Sequence, residues 1–90
     1  MAEPPRLEEL VDFPAPFTFR IVAKHSSSLR DRCQQLVEQT LGRPAEDVRE
    51  QPSKKGAFVS IRVAVTVENA EEIRSVYQAL QSVEGLQLLL

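Results

Sequence analysis

Between Phe58 and Val67 the residues Val59, Ile61, Val63, Val65 and Val67 occupy every second position without a break. Strand side chains alternate between the two faces of a sheet, and β-branched residues fit that pleated surface. Five of them at period two therefore mark a central strand with one fully buried face. A chain of 90 residues that must cover such a face has room for one two-layer core and little else. The remaining segments have to supply that cover.

A first strand is expected over residues 17–24, where Phe17, Phe19, Ile21 and Ala23 alternate with Thr18, Arg20, Val22 and Lys24. Phe19 and Ile21 belong inside, because the opposite register would bury Arg20 and Lys24 without partners. Just upstream, Pro14 and Pro16 end any helix and hold Phe13 and Ala15 extended. Phe13 and Phe17 are expected to plug the end of the sandwich, the alternative being a docking surface. Ser26, Ser27 and Ser28 open a helix, with Ser28 and Asp31 at capping-box spacing. Its stripe is Leu29, Cys33, Leu36, Val37 and Leu41, and Gly42 and Pro44 stop it.

Asp47 to Gln51, with Val48 as its only aliphatic residue, reads as a polar edge strand. Pro52-Ser53-Lys54-Lys55-Gly56 is a turn. Asn69 and Glu72 form a second capping box ahead of a stripe of Ile73, Val76, Tyr77 and Leu80. Gly85 ends that helix, and Leu86 to Leu90 reads as a last strand. The order β-α-β-β-α-β predicts an α+β two-layer sandwich of the ferredoxin-like kind: a four-stranded antiparallel sheet with two helices on one face. Residues 1–6 are expected to be disordered and 7–90 to form the single domain. Leu7, Leu10, Val11 and Phe13 are expected to dock one helical turn on it.

The segment Phe13-Pro14-Ala15-Pro16-Phe17-Thr18-Phe19-Arg20, the turn Pro52-Ser53-Lys54-Lys55-Gly56 and the leucine-rich last strand resemble the YbeD-like family of small uncharacterised bacterial proteins. The resemblance covers about residues 7–90. It implies a ferredoxin-like sandwich similar to regulatory domains of the ACT type, and no established activity. It also implies a regulatory link to lipoate attachment.

Eleven basic against thirteen acidic residues, a net charge of -2, give no footprint for DNA or for an anionic membrane. Cys33 is the only cysteine, which rules out an intrachain disulfide or a thiolate metal site and suits a reducing cytosol. The acidic, proline-containing start lacks the pattern of a secretion signal. A cytoplasmic protein is expected, with no membrane partner.

No nucleophile, base or metal-ligand set can be assembled, so no catalytic residue, no metal and no cofactor is expected. Two places could take a ligand. His25-Ser26-Ser27-Ser28 stands at a strand-to-helix junction, where free amides favour an anion. Lys54, Lys55 and Gly56 could cradle an anion in a turn, or serve simply as a solvated hairpin connection. The uncovered sheet face should present Thr18, Arg20 and Val22 beside Phe58, Ser60, Arg62, Ala64 and Thr66. Only Phe58 could stack a base, so RNA binding is the least favoured use. A protein partner, including a second copy in a homodimer, suits the mixture of Thr18, Arg20, Val22, Ser60, Arg62 and Ala64 better, with Phe13 as a further contact, and cover by the Leu7 to Phe13 segment would also use this face. The leading expectation is a non-enzymatic regulatory or adaptor module acting through protein contacts. The alternative is an ACT-like sensor of a small metabolite at the first strand-helix junction or a dimer interface.

Overall fold

A computed structural model describes residues 12–90. The elements are β1 (Ala15–Lys24), α1 (Leu29–Leu41), β2 (Asp47–Pro52), β3 (Phe58–Val67), α2 (Ala70–Leu80) and β4 (Leu86–Leu89). The disorder expected for residues 1–6 and the docking turn expected at Leu7, Leu10 and Val11 lie outside the described residues.

The sheet order is β2-β3-β1-β4, with every pair antiparallel. β1 and β3 are central and pair along their whole lengths, from Ala15 opposite Val67 to Lys24 opposite Phe58. That register puts the odd-numbered residues of both strands on one face. Phe19, Ile21, Ala23 and the five β-branched residues of β3 are buried there. Leu29, Cys33 and Val37 of α1 and Ala70, Ile73, Val76 and Leu80 of α2 close over them. Each large side chain so buried contributes roughly 1.5–3 kcal/mol. The ferredoxin-like sandwich expected from the periodicities is the fold observed.

β1 begins at Ala15, two residues before the expected start, and includes Pro16. Even-numbered residues of β1 aim their backbone groups at β4: Lys24 N–H donates to the Gly85 carbonyl at 3.0 Å, and Arg20 exchanges bonds with Leu90 at 3.2 and 2.9 Å. The pairing with β4 does not extend back to Pro16, so the donor that proline lacks leaves no ladder bond unmade. Phe13 and Phe17 are half-buried against the core. The Phe17 and Phe19 rings lie 4.9 Å apart, and the Tyr77 ring meets Phe19 edge-on at 5.4 Å.

The two helix starts differ. Asn69 Oδ1 accepts from Glu72 N–H at 2.9 Å, as expected of a cap, but the Glu72 carboxylate reaches Glu68 N–H at 2.8 Å rather than Asn69. The Ser28-Asp31 capping box does not form. Ser28 has helical backbone angles and no side-chain cap bond, while its hydroxyl lies 3.2 Å from that of Ser26. At the far end of α1, Gly42 takes the left-handed conformation, φ 69°, and its N–H bonds the Glu38 carbonyl at 2.8 Å.

β4 carries an irregularity. Val22 faces Leu88 and Ala23 faces Leu86, so Gln87 is one residue more than the register holds. This bulge turns Leu86 and Leu89 toward the core and leaves Leu88 and Leu90 on the open side, 49% and 51% exposed.

Candidate functional site

The face of the sheet away from the helices has no cover among the described residues. Across its middle runs one row: Arg49 of β2 opposite Arg62 of β3, and Arg62 opposite Arg20 of β1. Because Arg20 spends both backbone bonds on Leu90, Arg20 and Arg62 form the closer, non-hydrogen-bonded kind of cross-strand pair, with Cα atoms about 4.5 Å apart. Like charges set opposite in this way destabilise a sheet. Arg49 is neutralised by Asp47 at 2.8 Å. Arg20 and Arg62 have no ion pair or side-chain hydrogen bond among the described residues.

The next row holds Gln51, Ser60, Val22 and Leu88. Ser60 Oγ is sealed from solvent and has no hydrogen-bond partner. It borders a shallow depression of about 230 Å³ lined by Arg49, Glu50, Gln51, Ser60 and Arg62. Thr18 and Ala64 lie opposite each other one row the other way, and Lys24 lies opposite Phe58 at the far end. The open face thus gathers Thr18, Arg20, Val22, Ser60, Arg62 and Ala64. Phe13 stands apart from them, packed on the core. Arg49 would have followed from alternation along β2. Leu88 and Leu90 would not, since a bulge shifts the phase of the strand.

A second concavity lies at one end of the sandwich. A cleft of about 600 Å³ is bounded by Lys24, His25, Ser26 and Ser28, by Arg32 and Gln35 of α1, and by the loop Ser82 to Gly85. The expected junction is therefore one wall of a cleft whose other wall is more than fifty residues away in sequence. Gly85 is held there with φ 77°, and a Cβ on it would stand 3.0 Å from that of Lys24. The walls mix Lys24 and Arg32 with Asp31 and Glu84. The imidazole of His25 has no hydrogen-bonded carboxylate among the described residues, so nothing orients it as a base.

Lys54, Lys55 and Gly56 are exposed on the turn between β2 and β3. Gly56 N–H is committed to the Ser53 carbonyl at 3.0 Å and Phe58 N–H to Ser53 Oγ at 3.2 Å, so these amides point into the turn. Ser27 is exposed and does not line the cleft. Cys33 is buried, and desolvation pushes its thiol up to about 11, the opposite of an activated nucleophile. Burial likewise raises Tyr77. Among the described residues no group of three His, Cys, Asp or Glu could hold a metal ion, and no helix is long and apolar enough to cross a membrane.

Helices on one face, an uncovered opposite face and a cleft at the strand-helix end define a small α+β domain of ACT-like shape. Its backbone superposes on the solution structure of a protein of H. pylori with a TM-score of 0.74, at 18% identity, covering 100% of this chain and 98% of that one. The ACT domain of a GTP pyrophosphokinase of Chlorobium tepidum gives a TM-score of 0.67 at 12% identity, covering 83% and 84%. At such identities the likeness concerns the fold. The chain belongs to the family described as "Protein of unknown function (DUF493)", whose profile matches residues 8–90. A UPF0250 protein of Idiomarina loihiensis is 38% identical over 86 residues, 94% of this chain and 96% of the relative. One of Pasteurella multocida is 28% identical over 85 residues with the same coverage. The resemblance carried by Phe13 to Arg20 and by the Pro52 to Gly56 turn is thereby borne out.

Proposed function

We propose that the protein is a non-enzymatic regulatory or adaptor module, working in the cytoplasm through contacts with another protein on the uncovered sheet face. The observation that carries this reading is the composition of that face: Arg20 and Arg62 adjacent and unpaired, flanked by Val22, Leu88 and Leu90. Buried apolar contacts supply affinity and arginines supply specificity at protein interfaces. The mixture suits a protein surface better than a base-stacking platform, since Phe58 is the only aromatic on it and is 39% exposed. Affinity capture from the native cells, with the tag before the N-terminus, should retain a partner that Val22→Asp or Leu88→Asp releases. Retention unaffected by both substitutions would refute the reading.

The end cleft favours a second reading, a domain sensing a small polar metabolite. Its 600 Å³ volume lies within the range of small-molecule sites, and its walls carry both charges beside the Ser26 and Ser28 hydroxyls. A metabolite bound only to the native state raises the unfolding temperature by mass action. A screen of common metabolites should yield such a shift, and Arg32→Ala should reduce it. No shift across the screen would dismiss the sensor.

A further inference from the structure

We infer that the occupant of the open sheet face is an acidic amphipathic segment of a partner protein, whose carboxylates pair with Arg20 and Arg62 and whose apolar residues rest on Val22, Leu88 and Leu90. This inference rests on the protein-contact reading and specifies the chemistry of the partner. Two guanidinium groups in a close cross-strand pair repel each other, and the chain supplies an acid to Arg49 but none, among the described residues, to Arg20 or Arg62. A carboxylate placed between them converts that repulsion into two charge-assisted hydrogen bonds.

Ser60 gives independent support. Its hydroxyl is sealed off without a partner beside Arg62, at the edge of the 230 Å³ depression. Buried hydroxyls are ordinarily satisfied, and one that is not calls for an explanation. Arg49 and Arg62 line the depression with it and are exposed, so a turn of either side chain would open the depression to a carboxylate oxygen that accepts from Ser60 Oγ. The apolar residues lie beside the arginines, on the β4 side, where a segment crossing the strands would reach both sets.

The alternatives match less well. A two-fold axis through the centre of the face would set the arginine row of one copy against that of the next. A nucleic acid would find phosphate contacts but no aromatic row on which to stack bases.

The probe is a fluorescein-labelled synthetic peptide of about 14 residues, with glutamates on one helical face and leucines on the other. A second peptide has every glutamate replaced by glutamine. The full chain should bind the first and not the second, more weakly as salt rises. Arg20→Ala with Arg62→Ala should cut the affinity about ten-fold or more. R62E checks folding at the same time: it should abolish binding yet raise the unfolding midpoint by roughly 1–5 °C, because it creates a pair of opposite charge across β1 and β3.

Equal binding of both peptides, or binding indifferent to the arginines, would overturn the inference. So would tighter arginine-dependent binding of an oligouridylate, or an arginine-dependent dimer in sedimentation. A gain in affinity from Glu8→Gln with Glu9→Gln would do the same by making the chain's own start the occupant. If the arginine variants still capture the cellular partner while Leu88→Asp does not, the acidic segment is refuted and the protein-contact reading stands.

Discussion

Asn69 and Ser28 precede their helices by one residue each, and only one of them caps. Asn69 is extended, φ -164° and ψ 170°, so its side chain can turn back to Glu72 N–H. Ser28 already has helical angles, φ -99° and ψ -1°, and its hydroxyl points instead toward Ser26. A cap needs a non-helical backbone at its own position. Asn69→Ala should therefore cost about 1 kcal/mol in urea unfolding, within a range of roughly 0.5–2. Ser28→Ala should stay within about 0.5 kcal/mol of the parent. Spacing alone does not separate the two cases, because serine followed three residues on by aspartate is only a licence for a capping box. What separated them was the backbone angle, which the triple serine leaves open.

Between elements, one bidentate ion pair among the described residues is a tie that composition does not reveal. Arg43, just after α1, grips Glu72 of α2 with two bonds of 3.1 and 2.8 Å and also donates to the Thr66 carbonyl at 3.0 Å. The connection leaving α1 is thus fastened to the end of β3 and the start of α2. The hydrogen bond from Arg43 holds the Glu72 carboxyl below its ordinary 4.5. A carboxyl depressed in the native state stabilises the fold fully above its unfolded value, and that contribution disappears as pH falls through the native value. Glu72→Gln should be less stable than the parent at pH 7, and the difference should close between about pH 5 and 3 in denaturant titrations. Added salt should shrink it only in part, the pair being half-buried. β4 makes a different point about elements. Period two identified the inward faces of β1 and β3 correctly because both are unbroken, whereas Leu86 to Leu90 is interrupted by the bulge at Gln87. Deleting Gln87 should leave a regular strand in which Leu86 still lies opposite Ala23 on the core face, so stability in urea unfolding should stay within about 1 kcal/mol of the parent.

At the scale of the molecule, the fold was legible because two helical stripes and a few strand faces admit few arrangements. The cleft was half legible. The His25 to Ser28 wall follows from local pattern, but the Ser82 to Gly85 wall arrives only through the placement of β4 beside β1. The same topology predicts which amides are safest. Those shared between β1 and β3 should exchange most slowly with deuterium, and those of the edge strand β2 that face outward most rapidly.

The arginine row has one more effect. Residues 12–90 contain ten basic and ten acidic side chains. Arg20, Lys24, Arg49 and Arg62 stand on the open face against Asp47 and against Glu46, which bonds Thr66 there. The face is thus near +2 and the rest of the described residues near -2. This part of the protein is an electric dipole with no net charge. A dipole turns an approaching acidic surface toward its positive side before contact, so an encounter should be oriented as well as attracted, and its rate should fall as ionic strength rises.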